Sequence, residues 1–120
     1  MLNFDAGWDH QPQIRKLSQA IRERSKIFTN QPWAIIDDIR RWPIKSPQEI
    51  ALCTELSIEL MEKGMTHCTV CINEVAVSKW MMEKIVPKDV ELAFFKQPQE
   101  CKTWLSEQGF DTKFGLPLTP

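Results

Sequence analysis

Two short apolar runs, WAII at 33–36 and THCTVCI at 66–72, flank SPQEIALCTELSIELMEKG, a segment whose apolar residues recur at helical spacing. Strand, helix, strand in that order constrains this chain more than any other feature. Two strands joined through a helix pair in parallel by a right-handed crossover, and a parallel sheet needs helices over its faces. The boundaries are written in side-chain chemistry. Ser46, Pro47 and Glu49 supply an N-cap, a first-turn proline and a capping box, and Gly64 ends the helix.

The same alternation extends in both directions. GWDHQPQIRKLSQAIRERSKIF offers Asp9 as an N-cap and puts Ile14, Leu17, Ile21 and Phe28 on one helical stripe. Asn73 precedes EVAVSKWMMEKIV as a cap, and Pro87 closes that helix. DVELAFFK reads as a strand, and QPQECKTWLSEQGF as a last helix with Pro98 near its start and Gly109 past its end. In that helix Cys101, Trp104 and Leu105 share a face. MLNFDA is a short additional strand at the start, and DTKFGLPLTP has no period and reads as irregular. With 120 residues, 42% hydrophobic and 26% charged, the expectation is one α/β domain over residues 1–110 and an irregular tail over 111–120. Its sheet is largely parallel or mixed, of about four strands covered by about four helices.

Charge narrows the functional classes. The chain carries 15 Lys and Arg against 16 Asp and Glu, split eight against five over residues 1–45 and seven against eleven over residues 46–120. That asymmetry is too mild for a nucleic-acid binder, and no reading element accompanies it. No apolar run reaches the ~18 residues of a membrane span, and residues 1–7 lack the basic start and apolar core of a secretion signal. The expected compartment is the cytoplasm, with no membrane insertion.

THCTVCINE contains a Cys-x-x-Cys pair behind a histidine, which raises redox and metal chemistry. On a strand, Cys68, Val70 and Ile72 face one way and His67, Thr69 and Cys71 the other. Three residues of strand place the Cys68 and Cys71 Cα atoms ~10 Å apart, beyond the ~7 Å reach of a disulfide. Redox-active pairs sit instead at a helix N-terminus, where the dipole lowers the thiol pKa. A zinc site needs about four convergent ligands, and Cys53 and Cys101 sit on apolar faces of separate helices. Cysteine in a buried strand is the favoured reading, with a thiol redox or metal site at Cys68 and Cys71 as a weaker alternative.

Other catalytic anchors are missing. Two histidines stand without a Gly-x-Ser-x-Gly, and none of the four glycines forms a phosphate loop after a strand. Asp37 and Asp38 leave the C-terminal end of a strand, where open α/β sheets place their ligand sites. A shared cation or proton is one reading of that pair; one aspartate capping the turn and the other solvated is the favoured one. No catalytic residue, metal or cofactor follows from these residues, and the expectation is a protein that is not an enzyme.

QPWAIIDDIRRW followed by SPQEI, then MTHCTVCINE, then VELAFFKQPQECKTWL resembles the STAS-like superfamily (sulfate transporter and anti-sigma-factor antagonist), in particular its bacterial SpoIIAA-like branch, over about residues 7–110. The resemblance implies a four- or five-stranded sheet covered by helices, no enzymatic activity, and a regulatory role exerted by docking to a protein partner or by holding a small ligand. In regulatory members a serine at the start of the second helix is phosphorylated and blocks docking, and Ser46 stands at a comparable position. Where the family has Asp-Ser-Ser-Gly surroundings this chain has DDIRRWPIKSPQ, which favours an N-cap role for Ser46 over phosphorylation. The family carries a further strand before the first helix, and its shortness here implies an exposed sheet edge and a homodimer.

Helix surfaces point to docking as well. Ile50, Leu52, Cys53, Leu56, Leu60 and Met61 cover half of the second helix and leave Ile58 outside; Val75, Met82, Ile85 and Val86 share a stripe on the third and leave Trp80 pointing away. Trp and Met are enriched where proteins meet, so Ile58, Trp80 and Met81 are the expected contact surface. The leading expectation is a non-catalytic interaction module for an unidentified protein partner or for itself. A carrier of a small apolar, lipid-like ligand is the alternative, as the related CRAL-TRIO domains suggest, with its pocket between the sheet and Trp33, Trp42 or Trp80.

Overall fold

The two apolar runs become the centre of one sheet. The structure is a computed structural model that describes residues 2–4, 13–28, 31–40, 46–73, 76–111 and 116–118. In chain order these form β1 (Leu2–Phe4), α1 (Gln13–Ser25), a 3-10 turn (Lys26–Phe28), β2 (Trp33–Asp38), α2 (Pro47–Glu62), β3 (Met65–Cys71), α3 (Ala76–Ile85), β4 (Glu91–Phe95), α4 (Pro98–Glu107) and β5 (Leu116–Leu118). The strands lie in the order β4-β3-β2-β1-β5, and every neighbouring pair is parallel. This is an α/β fold with a five-stranded sheet, one strand more than the pattern of apolar runs suggested.

Strand periodicity divides the core into two layers. On one face Trp33, Ile35, Met65, Cys68 and Val70 meet Ile21 of α1, Leu56 and Leu60 of α2, and Met81, Met82 and Ile85 of α3. On the other, Ala34, Ile36 and Cys71 meet Cys101 and Leu105 of α4, with Phe95, Trp104 and Phe110 around them. Three helices therefore cover one side and one covers the other. Central strands buried on both faces read as continuous apolar runs, which is why WAII shows no polar alternation. Cys68 and Cys71 fall into different layers, as strand alternation requires.

Helix α2 starts where its capping signals place it. Ser46 Oγ accepts from the Glu49 amide at 3.2 Å while Glu49 Oε1 accepts from the Ser46 amide at 2.9 Å, and Pro47 occupies the first turn. At its end Gly64 adopts φ +109°, a backbone that non-glycine residues rarely take. Its carbonyl accepts from the Trp33 amide at 3.1 Å, and the Lys63 carbonyl accepts from Trp33 Nε1 at 3.2 Å. Trp33, only 1% exposed, stacks on Phe28 with ring centroids 5.6 Å apart. The end of α2, the start of β2 and the end of α1 are thus tied together around one indole.

Several expectations change. Residues 116–118, read as irregular, form β5 against β1, with Leu2, Asn3 and Phe4 opposite Leu116, Pro117 and Leu118. A sheet edge tolerates the missing amide of Pro117, and three residues are too few to show periodicity. Because β5 lies outside β1, the sheet edges are β4 and β5, and the short leading strand is internal. The expected start of α3 at 74–75 lies outside the described residues, and the Asn73 side-chain amide donates to the Arg40 carbonyl at 2.9 Å. Asp9, Trp42 and the side chains of Ile14 and Leu17 lie outside the described residues.

Gly64 carries a direct test. A Cβ there would lie 2.9 Å from the Gln31 carbonyl oxygen, whereas one at Gly109, φ +93°, would meet nothing within 4 Å. Both alanine variants incur backbone strain of about 1 kcal/mol, and only Gly64→Ala adds a steric term, for an expected total of about 2–3 kcal/mol. Urea unfolding of the two variants side by side measures the difference; equal losses would contradict the close packing at Gly64.

Candidate functional site

The C-terminal end of β2 places two carboxyls one residue apart and therefore on opposite faces of the sheet. Asp38 lies on the α4 side. Arg40 Nη2 and Nε donate to it at 2.6 and 2.9 Å, and its Oδ1 also accepts from the Arg40 amide at 3.2 Å. This is a side-chain-capped turn, and the Asp38 carboxylate holds the Arg40 guanidinium more firmly in its charged form. Asn73, bonded to the Arg40 carbonyl, ties the turn after β2 to the segment after β3.

Asp37 has a different environment. It is half-buried as a residue, with its carboxyl enclosed on the side of α1, α2 and α3. The Cys68 thiol donates to its Oδ2 at 3.4 Å, and this is the one hydrogen bond to that carboxyl among the described residues. Burial disfavours the ionised form and pushes its pKa from 3.8 up to about 7, with the thiol bond pulling slightly the other way. Beside it lies a cavity of about 50 Å³, walled chiefly by Ile35, Leu56, Leu60, Met82 and Ile85. A lone carboxyl with a displaced pKa, facing an apolar cavity at the C-terminal end of a parallel strand, is the most distinctive chemical environment among the described residues.

The two aspartates consequently do not form one site. The turn-capping half of the favoured reading holds for Asp38, and the solvated half fails for Asp37 because strand alternation turns it into the helical layer. Register explains the pairing with Cys68: Ile35 lies opposite Cys68 and Asp37 opposite Val70, so all four share a face. Alternation is written within each run but the offset between runs is not, and the irregularity at Trp33/Ala34 shifts that offset further.

The thiols are poorly disposed for nucleophilic chemistry. Burial, then the Asp37 charge, raises Cys68 well above its ordinary pKa of 9.0; burial raises Cys71 to about 11, partly offset by Arg40. Burial also raises Cys101. The Cys71 thiol donates to the Lys96 carbonyl at 3.4 Å. Among the described residues no three His, Cys, Asp or Glu side chains converge as a metal site. His67 packs its ring against Phe110 and Trp104, at centroid distances of 5.0 and 5.5 Å, and Thr66 Oγ1 lies 2.8 Å from its Nδ1.

On the outer surface Trp80 is 52% exposed, with Lys84 Nζ above its ring at 4.7 Å, and Ile58 is 42% exposed on the adjacent α2. Met81 departs from the expectation: one helical step of 100° carries it from the Trp80 face into the core, where it is 3% exposed. Leu52, expected on the covered half of α2, is 37% exposed and joins the outer face. Trp33 is enclosed and Trp80 is outside, so these two do not wall a common pocket. No described helix is long and apolar enough to cross a membrane. Compared with protein-family models, curated proteins and solved structures, the chain matches none.

Asp37 makes stability depend on pH with a sign opposite to that of an ion-paired carboxylate. Below pH about 4 both folded and unfolded chains hold the proton; between about 4 and 7 only the unfolded chain releases it, and folding weakens. Asp37→Asn removes that loss. Its stability relative to the wild type is expected to rise by about 1–4 kcal/mol between pH 4 and 7 and then to level off. Urea midpoints at pH 4, 5.5, 7 and 8.5 measure this, and a wild type that gains on the variant across the interval would exclude an enclosed carboxyl.

Proposed function

We propose that the protein is a non-catalytic, STAS-like regulatory module that docks a protein partner, or a second copy of itself, on the outer faces of α2 and α3. The observation carrying this reading is the exposure of Trp80, with Ile58 and Leu52, on neighbouring helices whose Leu56, Leu60, Met81, Met82 and Ile85 are buried. Tryptophan combines a large apolar area with little entropy to lose, so an exposed one is a ready anchor for a contact. The α/β architecture with helices on both faces supports the STAS-like part of the proposal, as do the capped start of α2 and the Cys101, Trp104, Leu105 face of α4. Ser46 belongs to this proposal as the helix cap; a phosphate there would have to displace the Oγ bond to the Glu49 amide.

Carriage of a lipid-like ligand is a weaker reading. The apolar cavity beside Asp37, about 50 Å³, falls well below the roughly 300 Å³ at which sites for drug-sized ligands begin. A wider surface hollow of about 620 Å³ is lined mainly by polar residues, Lys26, Gln31, Glu62 and Lys63 among them. Raised thiol pKa values likewise weigh against redox chemistry at Cys68 and Cys71.

Trp80→Ala separates docking from folding. Its side chain is mostly in water, so the stability of the monomer is expected to change by no more than about 0.5 kcal/mol. Binding to a captured partner, or self-association measured by sedimentation equilibrium, is expected to weaken by about thirtyfold, the loss of roughly 2 kcal/mol that marks an anchor residue. If both stay as in the wild type, the α2–α3 face is not the docking surface.

A further inference from the structure

We infer that the cavity beside Asp37 is a binding site for a small alkylammonium ion, with its nitrogen on the Asp37 carboxylate and its short apolar tail between the sheet and α2. This inference is independent of the docking surface, which lies on the other side of the helices.

Asp38 has its cation in Arg40, yet among the described residues no lysine, arginine or histidine lines the cavity to which Asp37 belongs. Strand β3 presents Cys68 to it, and α2 presents Cys53 and Ser57; α1 contributes Ile21, α3 Met82 and Ile85, and the residue after α3 Val86, none of them charged. A thiol is a weak donor, and at 3.4 Å it replaces little of the water that a carboxylate loses on burial. An ionised carboxyl in such surroundings is costly until a counter-charge joins it, and the low dielectric then strengthens the pair. The ligand class that restores the balance is a cation with hydrogen-bond donors, which a primary ammonium supplies.

The walls decide what the cation carries. Ile35, Leu56, Leu60 and Met82 offer dispersion contacts and no acceptor, so the remainder of the ligand is apolar. A dry cavity of about 150 Å³ accepts benzene and a single water needs about 10–15 Å³. At about 50 Å³, this one matches an ion of roughly two to four non-hydrogen atoms. Larger polyamines and lipids exceed it. Methionine side chains at two points of the wall, Met65 and Met82, can adjust to tails differing by one methylene.

The probes are methyl- through hexylammonium chlorides, titrated into the wild type and into Asp37→Asn at pH 5.5, 6.5, 7.5 and 8.5. Matching alcohols serve as uncharged controls, and binding is read from the NMR signals of the Met65 and Met82 methyl groups. A saturable shift is expected, strongest for ethyl- to propylammonium, with the alcohols at least tenfold weaker. Apparent affinity is expected to rise by about tenfold per pH unit below pH about 7 and to level off above it, because the ion binds the ionised carboxyl and displaces its proton. Asp37→Asn is expected to abolish the shift while retaining dispersed methyl signals. The proposal is overturned if no saturable shift occurs at any pH, if propanol matches propylammonium, or if the variant binds as the wild type does. Should the variant fail to fold, the comparison with alcohols and the pH dependence decide on their own.

Discussion

The joint between Trp33 and Gly64 is the constraint on which the rest of the sheet depends. Two backbone carbonyls, of Lys63 and Gly64, receive the ring and main-chain N–H groups of one buried tryptophan, and a left-handed glycine brings them within reach. Parallel pairing of β2 with β3 begins immediately beyond this joint. Once the start of both strands is held there, their alternation places Ile35, Cys68 and Val70 under three helices and Ala34, Ile36 and Cys71 under α4. Neither core layer could form with β3 displaced by one residue, because every side chain would change face.

Much of this architecture was legible in the sequence where one physical signal dominated. The capping box at Ser46 and Glu49, the glycine at 64 and the doubly buried strands are each specified by local chemistry, and they recur as expected. The opposite orientations of Cys68 and Cys71 follow from a period of two alone. What escaped was set by relations between segments. Strand β5 is stabilised by pairing with β1 and has no pattern of its own. Met81 and Leu52 lie at the borders of their helical stripes, where packing of the neighbouring helix decides exposure rather than the helix itself. The Asn73 side-chain amide finds the Arg40 carbonyl 33 residues away, a contact that no local pattern announces.

The adjacent aspartates show how far alternation can separate like residues. Asp38 accepts three bonds from Arg40 and ends the strand as a turn; Asp37, one residue earlier, shares its layer with isoleucine, leucine and methionine. Chemically identical side chains thereby acquire different roles, one holding local geometry and the other carrying an uncompensated acid inside the core. That acid is the feature of β2 hardest to explain by folding alone, since an amide of the same shape would avoid the cost of burying a charge.

The position of β1 has a further consequence. Its pairing with β5 joins residues such as Leu2 and Leu116, 114 positions apart, while β2, β3 and β4 pair with their neighbours in the chain. Closing so long a span costs roughly 4 kcal/mol in chain entropy beyond a constant term, and three residues of ladder return few hydrogen bonds against it. Strand β5 is thus conditional on the β1–β2–β3–β4 part of the sheet already being in place. In chain-entropy terms the meeting of the chain's two most distant segments is the costliest closure in the sheet.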